Sequence, residues 1–82
     1  MPEISRFLGI IIRMYFLEHT PAHFHGEYEI TVGIETGVVT GKFPRRALNA
    51  VLEWYVLHKD ELSANWEAAM NKKPISKIEP LE

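Results

Sequence analysis

His23-Phe24-His25-Gly26-Glu27-Tyr28-Glu29-Ile30-Thr31-Val32-Gly33-Ile34 is the stretch on which the fold turns. Side chains alternate along a strand, so Phe24, Tyr28, Ile30, Val32 and Ile34 form one apolar face. His23, His25, Glu27, Glu29 and Thr31 form the opposite, polar face. The spacing predicts a strand over residues 23–34. Twelve residues are long for one strand, and Gly26 is the natural place for a bulge or bend.

Working outward, residues 10–17 read as an earlier strand. Ile10, Ile12, Met14 and Phe16 point one way, and Ile11, Arg13, Tyr15 and Leu17 the other. Between the two lies a loop whose Pro21 is barred from a central ladder position. Glu35-Thr36-Gly37 reads as a hairpin turn, with glycine supplying a positive φ. Val38 to Phe43 makes a short third strand.

Pro44 then opens a helix, where its missing N–H costs nothing. Ala47, Leu48, Val51, Trp54, Tyr55, His58, Leu62, Trp66, Ala69 and Met70 recur at helical steps. One continuous helix over residues 44–70 would run roughly 40 Å. A domain of this size has a radius of gyration of only about 12 Å. The helix therefore overhangs the sheet or breaks near Lys59-Asp60, where Asp60 caps a second segment. Asn71 and Pro74 end it. Residues 75–81 read as an extended strap, with an added edge strand as one option. The expected architecture is α+β. It has a three-stranded antiparallel β-meander, then one long or two consecutive α-helices, then the strap. Ile10, Ile12, Phe16, Ile30, Val32, Val51, Trp54, Leu62 and Trp66 are the expected core.

Composition bounds the class. The 82 residues make one small domain, 1–82, whose core is thin. Hydrophobic residues are 46% and charged residues 24%, an ordinary globular balance. The chain has no cysteine, which excludes disulfides and thiolate zinc sites. The apolar run Leu8-Gly9-Ile10-Ile11-Ile12 stops at Arg13, too short to span a bilayer. No basic lead precedes it, so neither a signal peptide nor a membrane anchor is expected, and a cytoplasmic location is. A net charge of −2 gives weak support to nucleic-acid binding, which usually shows as a basic stripe. Small basic clusters stand at Lys42, Arg45 and Arg46 and at Lys72, Lys73 and Lys77.

Three of the four histidines fall between His19 and His25. Two residues of strand rise put His23 and His25 about 6.5–7 Å apart at Cα. Imidazoles at that spacing can converge on a divalent transition metal such as zinc, copper or nickel, with His19, Glu27 or His58 completing the site. A second reading needs no cofactor. His23 and His25 act as acid and base on RNA, while Arg13, outward on the preceding strand beside His25, holds phosphate. The competing reading is structural. The pair decorates a sheet face, with one ring packed on Tyr15 or donating to a carbonyl, and Arg13 pairs with Glu27 or Glu29. His58 lies on the apolar helix stripe. It joins the other histidines only if Gly26 bends the strand.

A family resemblance rests on Ile4-Ser5-Arg6-Phe7, on Gly9 to Phe16, and above all on Pro21-Ala22-His23-Phe24-His25. Ala47-Leu48, Val51, Glu53-Trp54, His58, Glu61-Leu62, Trp66 and Ile78-Glu79-Pro80-Leu81 extend it. Across nearly its whole length the chain resembles the bacterial family known as domain of unknown function 4160. It departs at Ala22, where the family usually carries a second proline. The resemblance implies one component of a two-gene, toxin–antitoxin-like module. The implied partner is a small protein, commonly of the domain of unknown function 2442 family. A short sheet with exposed edges adds a homodimer as the other expected partnership.

Overall fold

The computed structural model describes residues 3–15, 20–26 and 30–81. Its radius of gyration is 11.5 Å. Five strands, β1 (Glu3–Phe7), β2 (Ile10–Arg13), β3 (His23–His25), β4 (Thr31–Gly33) and β5 (Val39–Thr40), precede two helices, α1 (Arg45–Leu57) and α2 (Lys59–Met70). The sheet is antiparallel throughout, in the order β1-β2-β3-β4-β5. The α+β meander stands as expected, but three strands understate the sheet.

The two additional strands have different origins. β1 precedes the first expected strand and joins β2 through Leu8 and Gly9, both at positive φ, 53° and 75°. That is the backbone of a tight two-residue hairpin turn, whose twist suits the flanking strands. Leu8 hides the turn in the sequence, because it reads as the start of an apolar run. It is 67% exposed and occupies a left-handed conformation that costs a non-glycine residue about 1–2 kcal/mol.

The other extra strand comes from residues 23–34, which fold back instead of running on. Phe24 pairs with Val32, His23 with Gly33 and His25 with Thr31. Gly26 N–H donates to the Ile30 carbonyl at 3.0 Å, closing the hairpin. A Cβ on Gly26 would meet Ile30 Cγ1 at 3.0 Å, so glycine leaves the Ile30 side chain room to pack over the fold-back. Cross-strand partners share a face. The division into apolar and polar faces therefore survives the fold-back. Phe24, Ile30, Val32 and Ile34 are fully buried, and Tyr28 lies outside the described residues.

The remaining boundaries are shorter than expected. β2 stops at Arg13, and β5 is only Val39–Thr40. The turn between β4 and β5 falls where Gly37 predicted it, at φ 75°. Gly37 N–H donates to Gly33, and Gly33 N–H to Val38. Pro44 is the residue before α1 rather than its first, and the helical layer breaks at His58, just before Lys59.

Helix and sheet meet around Trp54, which is 0% exposed. Its ring packs on Phe7 at 5.5 Å and on Phe24 at 5.6 Å between centroids. Ile10, Ile12, Ile30, Val32, Val51, Leu62 and Trp66 are buried as expected, while Phe16 lies outside the described residues. Three contacts pin the strap. Asn65 exchanges two hydrogen bonds with the Ser76 backbone. Trp54 Nε1 donates to the Glu79 carbonyl, and Ile78 N–H donates to Ile4 of β1. The strap thus closes the β1 edge with one ladder bond and is not itself a strand.

Candidate functional site: the outer face of the sheet

Register builds one polar row across all five strands. Glu3 pairs with Arg13, Arg13 with His25, His25 with Thr31, and Thr31 with Thr40. All lie on the face opposite Ile12, Phe24 and Val32, which are 0% exposed. A β-bulge helps set the first pair. The register slips between Glu3 and Ser5, so Ile4 and Ser5 are both buried. The extra residue also returns Arg6 to the side of Glu3. Their ion pair is 2.9 Å, with a second bond from Nε at 3.2 Å. The Arg6 guanidinium holds the Glu3 carboxyl below its ordinary range, with smaller help from the charges of Lys77 and Arg13.

His23 and His25 stand side by side in this face, ring centroids 5.0 Å apart and edge to face. His25 packs on Tyr15 at 4.6 Å. His23 Nδ1 donates to the Pro21 carbonyl at 2.7 Å. A carbonyl can only accept, so a neutral His23 ring carries its proton on Nδ1 and its lone pair on Nε2. An open concavity of about 390 Å³ runs beside the pair. Thr20, Thr31, Thr36 and Thr40 line it together with both histidines, and Val38 forms part of the wall.

His23 also touches the core. Its ring lies 5.2 Å from that of Trp66 on α2, so it is not remote from the apolar set as strand parity implies. The packing on Tyr15 and the bond to a carbonyl are the two contacts of the structural reading. Arg13 is the direct cross-strand neighbour of His25. Its alternative partners Glu27 and Glu29 lie outside the described residues, as does His19. His58 is elsewhere, packed on Trp54 at 5.6 Å and paired through Nδ1 with Glu61. Among the described residues no group of three histidine, cysteine or carboxylate side chains is placed to hold a metal.

Residue spacing put Thr31 on the histidine face but missed Thr20, Thr36 and Thr40. They flank the histidines only because the chain folds back at Gly26 and turns again at Gly37. The alternation of Val39 with Thr40 was an available signal for the last of these. The Trp66 contact has no sequence signal at all, since it depends on where α2 crosses the sheet.

Fold and face together define a small α+β meander domain, with helices on one side of the sheet and a histidine- and threonine-bearing surface on the other. The chain belongs to the family described as Domain of unknown function (DUF4160), which it matches over residues 9–67. The match runs from the β1–β2 turn into α2, and β1 and the strap flank it. No curated protein and no solved structure matches the chain. No helix among the described residues is long and apolar enough to cross a membrane.

Proposed function

We propose that this chain is a small cytoplasmic protein-interaction domain, one component of a two-gene, toxin–antitoxin-like module. Its partner is a small protein of the kind the family resemblance implies, of the domain of unknown function 2442 family. One observation carries the reading. The strap bonds to β1, while β5 ends the sheet with no strand beyond it among the described residues. An unpaired edge is a template for another chain. Beside it, Val38 is 61% exposed. Co-expression with the neighbouring small protein tests this. The two should purify together, with amide exchange at Val39–Lys42 slowed in the complex. A second copy of the chain is the other candidate occupant, and light scattering on the protein alone distinguishes it. Separate elution of the two proteins, with unchanged exchange, would reject the reading.

A second reading has its own support. Arg13 is the cross-strand neighbour of His25, and the His23 ring lies 5.0 Å from that of His25, which brings together the residue types that general acid–base cleavage of RNA uses. In that reading His23 and His25 exchange protons and Arg13 holds phosphate. In its metal-dependent form, the two imidazoles bind a transition ion with His19 as third ligand. RNA cleavage by the purified protein, lost in His23→Gln/His25→Gln, supports the acid–base form. Stoichiometric zinc or nickel by elemental analysis supports the metal form.

A further inference from the structure

The open edge has a hydrogen-bonding phase and a charge. Gly33 N–H donates to Val38 at 2.9 Å, and Val32 pairs with Val39. Bonded and non-bonded pairs alternate along an antiparallel ladder. Val32 and Val39 are therefore a non-bonded pair, and Val39 turns its N–H and C=O away from β4. Those groups are what an added strand would bind.

The charge follows them in the sequence. Between Glu35 and Glu53 the chain carries three cations, Lys42, Arg45 and Arg46, and no carboxylate. All three are exposed. Arg45 and Arg46 occupy the first turn of α1, which has no acidic residue, and Pro44 provides no side-chain cap. Cations there oppose the helix dipole. In α2 the same turn carries Asp60 and Glu61. The whole chain has a net charge of −2, so the positive flank is local, and a flank of one sign favours a partner of the other.

We propose that the β5 edge accepts an extended, acidic segment of a partner protein as a sixth strand. Its backbone pairs with Val39, and its carboxylates meet Lys42, Arg45 and Arg46. The proposal rests on the interaction-domain reading and adds the chemistry of the partner. A peptide fits better than a nucleic acid, because the outward groups of Val39 match another backbone. Phe43, the aromatic among these cations, is packed against the core instead of being offered to a base.

The test is an NMR titration of the full-length protein with two synthetic octapeptides, one alternating valine and glutamate, the other valine and lysine. The glutamate peptide should shift the Val39 and Gly41 amides and bind about tenfold more tightly than the lysine peptide, a difference of about 1.4 kcal/mol. Arg45→Gln/Arg46→Gln, with an unchanged melting temperature, should largely erase that preference. N-methylation of alternate peptide amides on the pairing edge should abolish binding with the charges intact. Equal binding of the two peptides, no shift at Val39 with either, or insensitivity to N-methylation would each overturn the proposal. A ribo-octanucleotide producing the same Val39 shifts more tightly would also overturn it, in favour of phosphate recognition. Co-purification with the neighbouring protein separates the two levels. If that complex survives Arg45→Gln/Arg46→Gln undiminished, the acidic-strand proposal fails and the interaction domain stands. If the acidic peptide binds as expected but no complex forms, the edge chemistry stands and the module reading fails.

Discussion

The Ile4 carbonyl of β1 accepts a hydrogen bond from Ile78 in the chain's own strap, whereas the outward backbone of Val39 in β5 meets no strand among the described residues. At the first edge Glu3 and Arg6 neutralise one another. At the second, Lys42, Arg45 and Arg46 follow in sequence without a carboxylate between them. A bare strand edge invites non-specific pairing, and proteins cover or charge it. Here one edge is covered and the other is charged. The covered edge is structural, held by Asn65, Trp54 and Ile4. The charged edge can select a partner by sign.

The largest expected effect tests the covered side. Trp54 joins both layers and the strap. Trp54→Ala removes its packing on Phe7 and Phe24 and its bond to Glu79 together. The loss should be about 3–5 kcal/mol, a large part of a small domain's stability. A melting curve matching the wild type would mean that this junction does not hold the fold. Ile78→Ala should cost less, about 2 kcal/mol for a buried aliphatic side chain at the margin of the core. Its sharper signature is local. Amide exchange should rise in β1 and stay unchanged in β5. Equal acceleration at both edges would erase the distinction between them.

Much of that distinction lay beyond sequence reading. Alternation in residues 10–14, 23–26 and 30–34 sorted buried from half-buried side chains correctly, and the helical stripe found Val51, Trp54, Leu62 and Trp66. Strand count failed because both missed reversals look like something else. Leu8-Gly9 resembles an apolar run, and Gly26 resembles a bulge inside one strand. Alternation carries no information about where a chain doubles back, since folding back leaves each side chain on its face. The adjacency of Arg13 and His25 could be inferred from parity and is observed in the register. Beyond Thr31, the threonine wall could not, nor could the Trp66 contact of His23. They depend on register and on helix placement.

The histidine pair belongs to neither edge. His23→Gln/His25→Gln should lower stability by about 1 kcal/mol or less, since both rings are half-buried and neither is central to the core. His23→Gln alone should carry most of that loss, through Trp66 and the Pro21 carbonyl. The variant should leave acidic-peptide binding at β5 unchanged while removing any RNA cleavage. Loss of peptide binding in a normally folded variant would show that face and edge act as one surface.

The smallest effect concerns the charge pair at the covered edge. The Arg6 guanidinium lowers the Glu3 carboxyl below its ordinary value of 4.5. A carboxylate with a depressed folded value stabilises the fold above its unfolded value. That contribution disappears as pH falls through the folded value. The Glu3 midpoint, followed by carboxyl NMR, should therefore lie below 4.5 in the wild type and rise toward it in Arg6→Gln. Melting temperature near neutral pH should barely change, since exposed pairs contribute little. Glu3 and Arg6 are the molecule's own instance of a carboxylate meeting a cation at a sheet edge. If Glu3 titrates at its ordinary value in both proteins, such a pair exerts little hold here. Selection by charge at β5 involves other cations, Lys42, Arg45 and Arg46, and is read separately from the valine–glutamate and valine–lysine peptides.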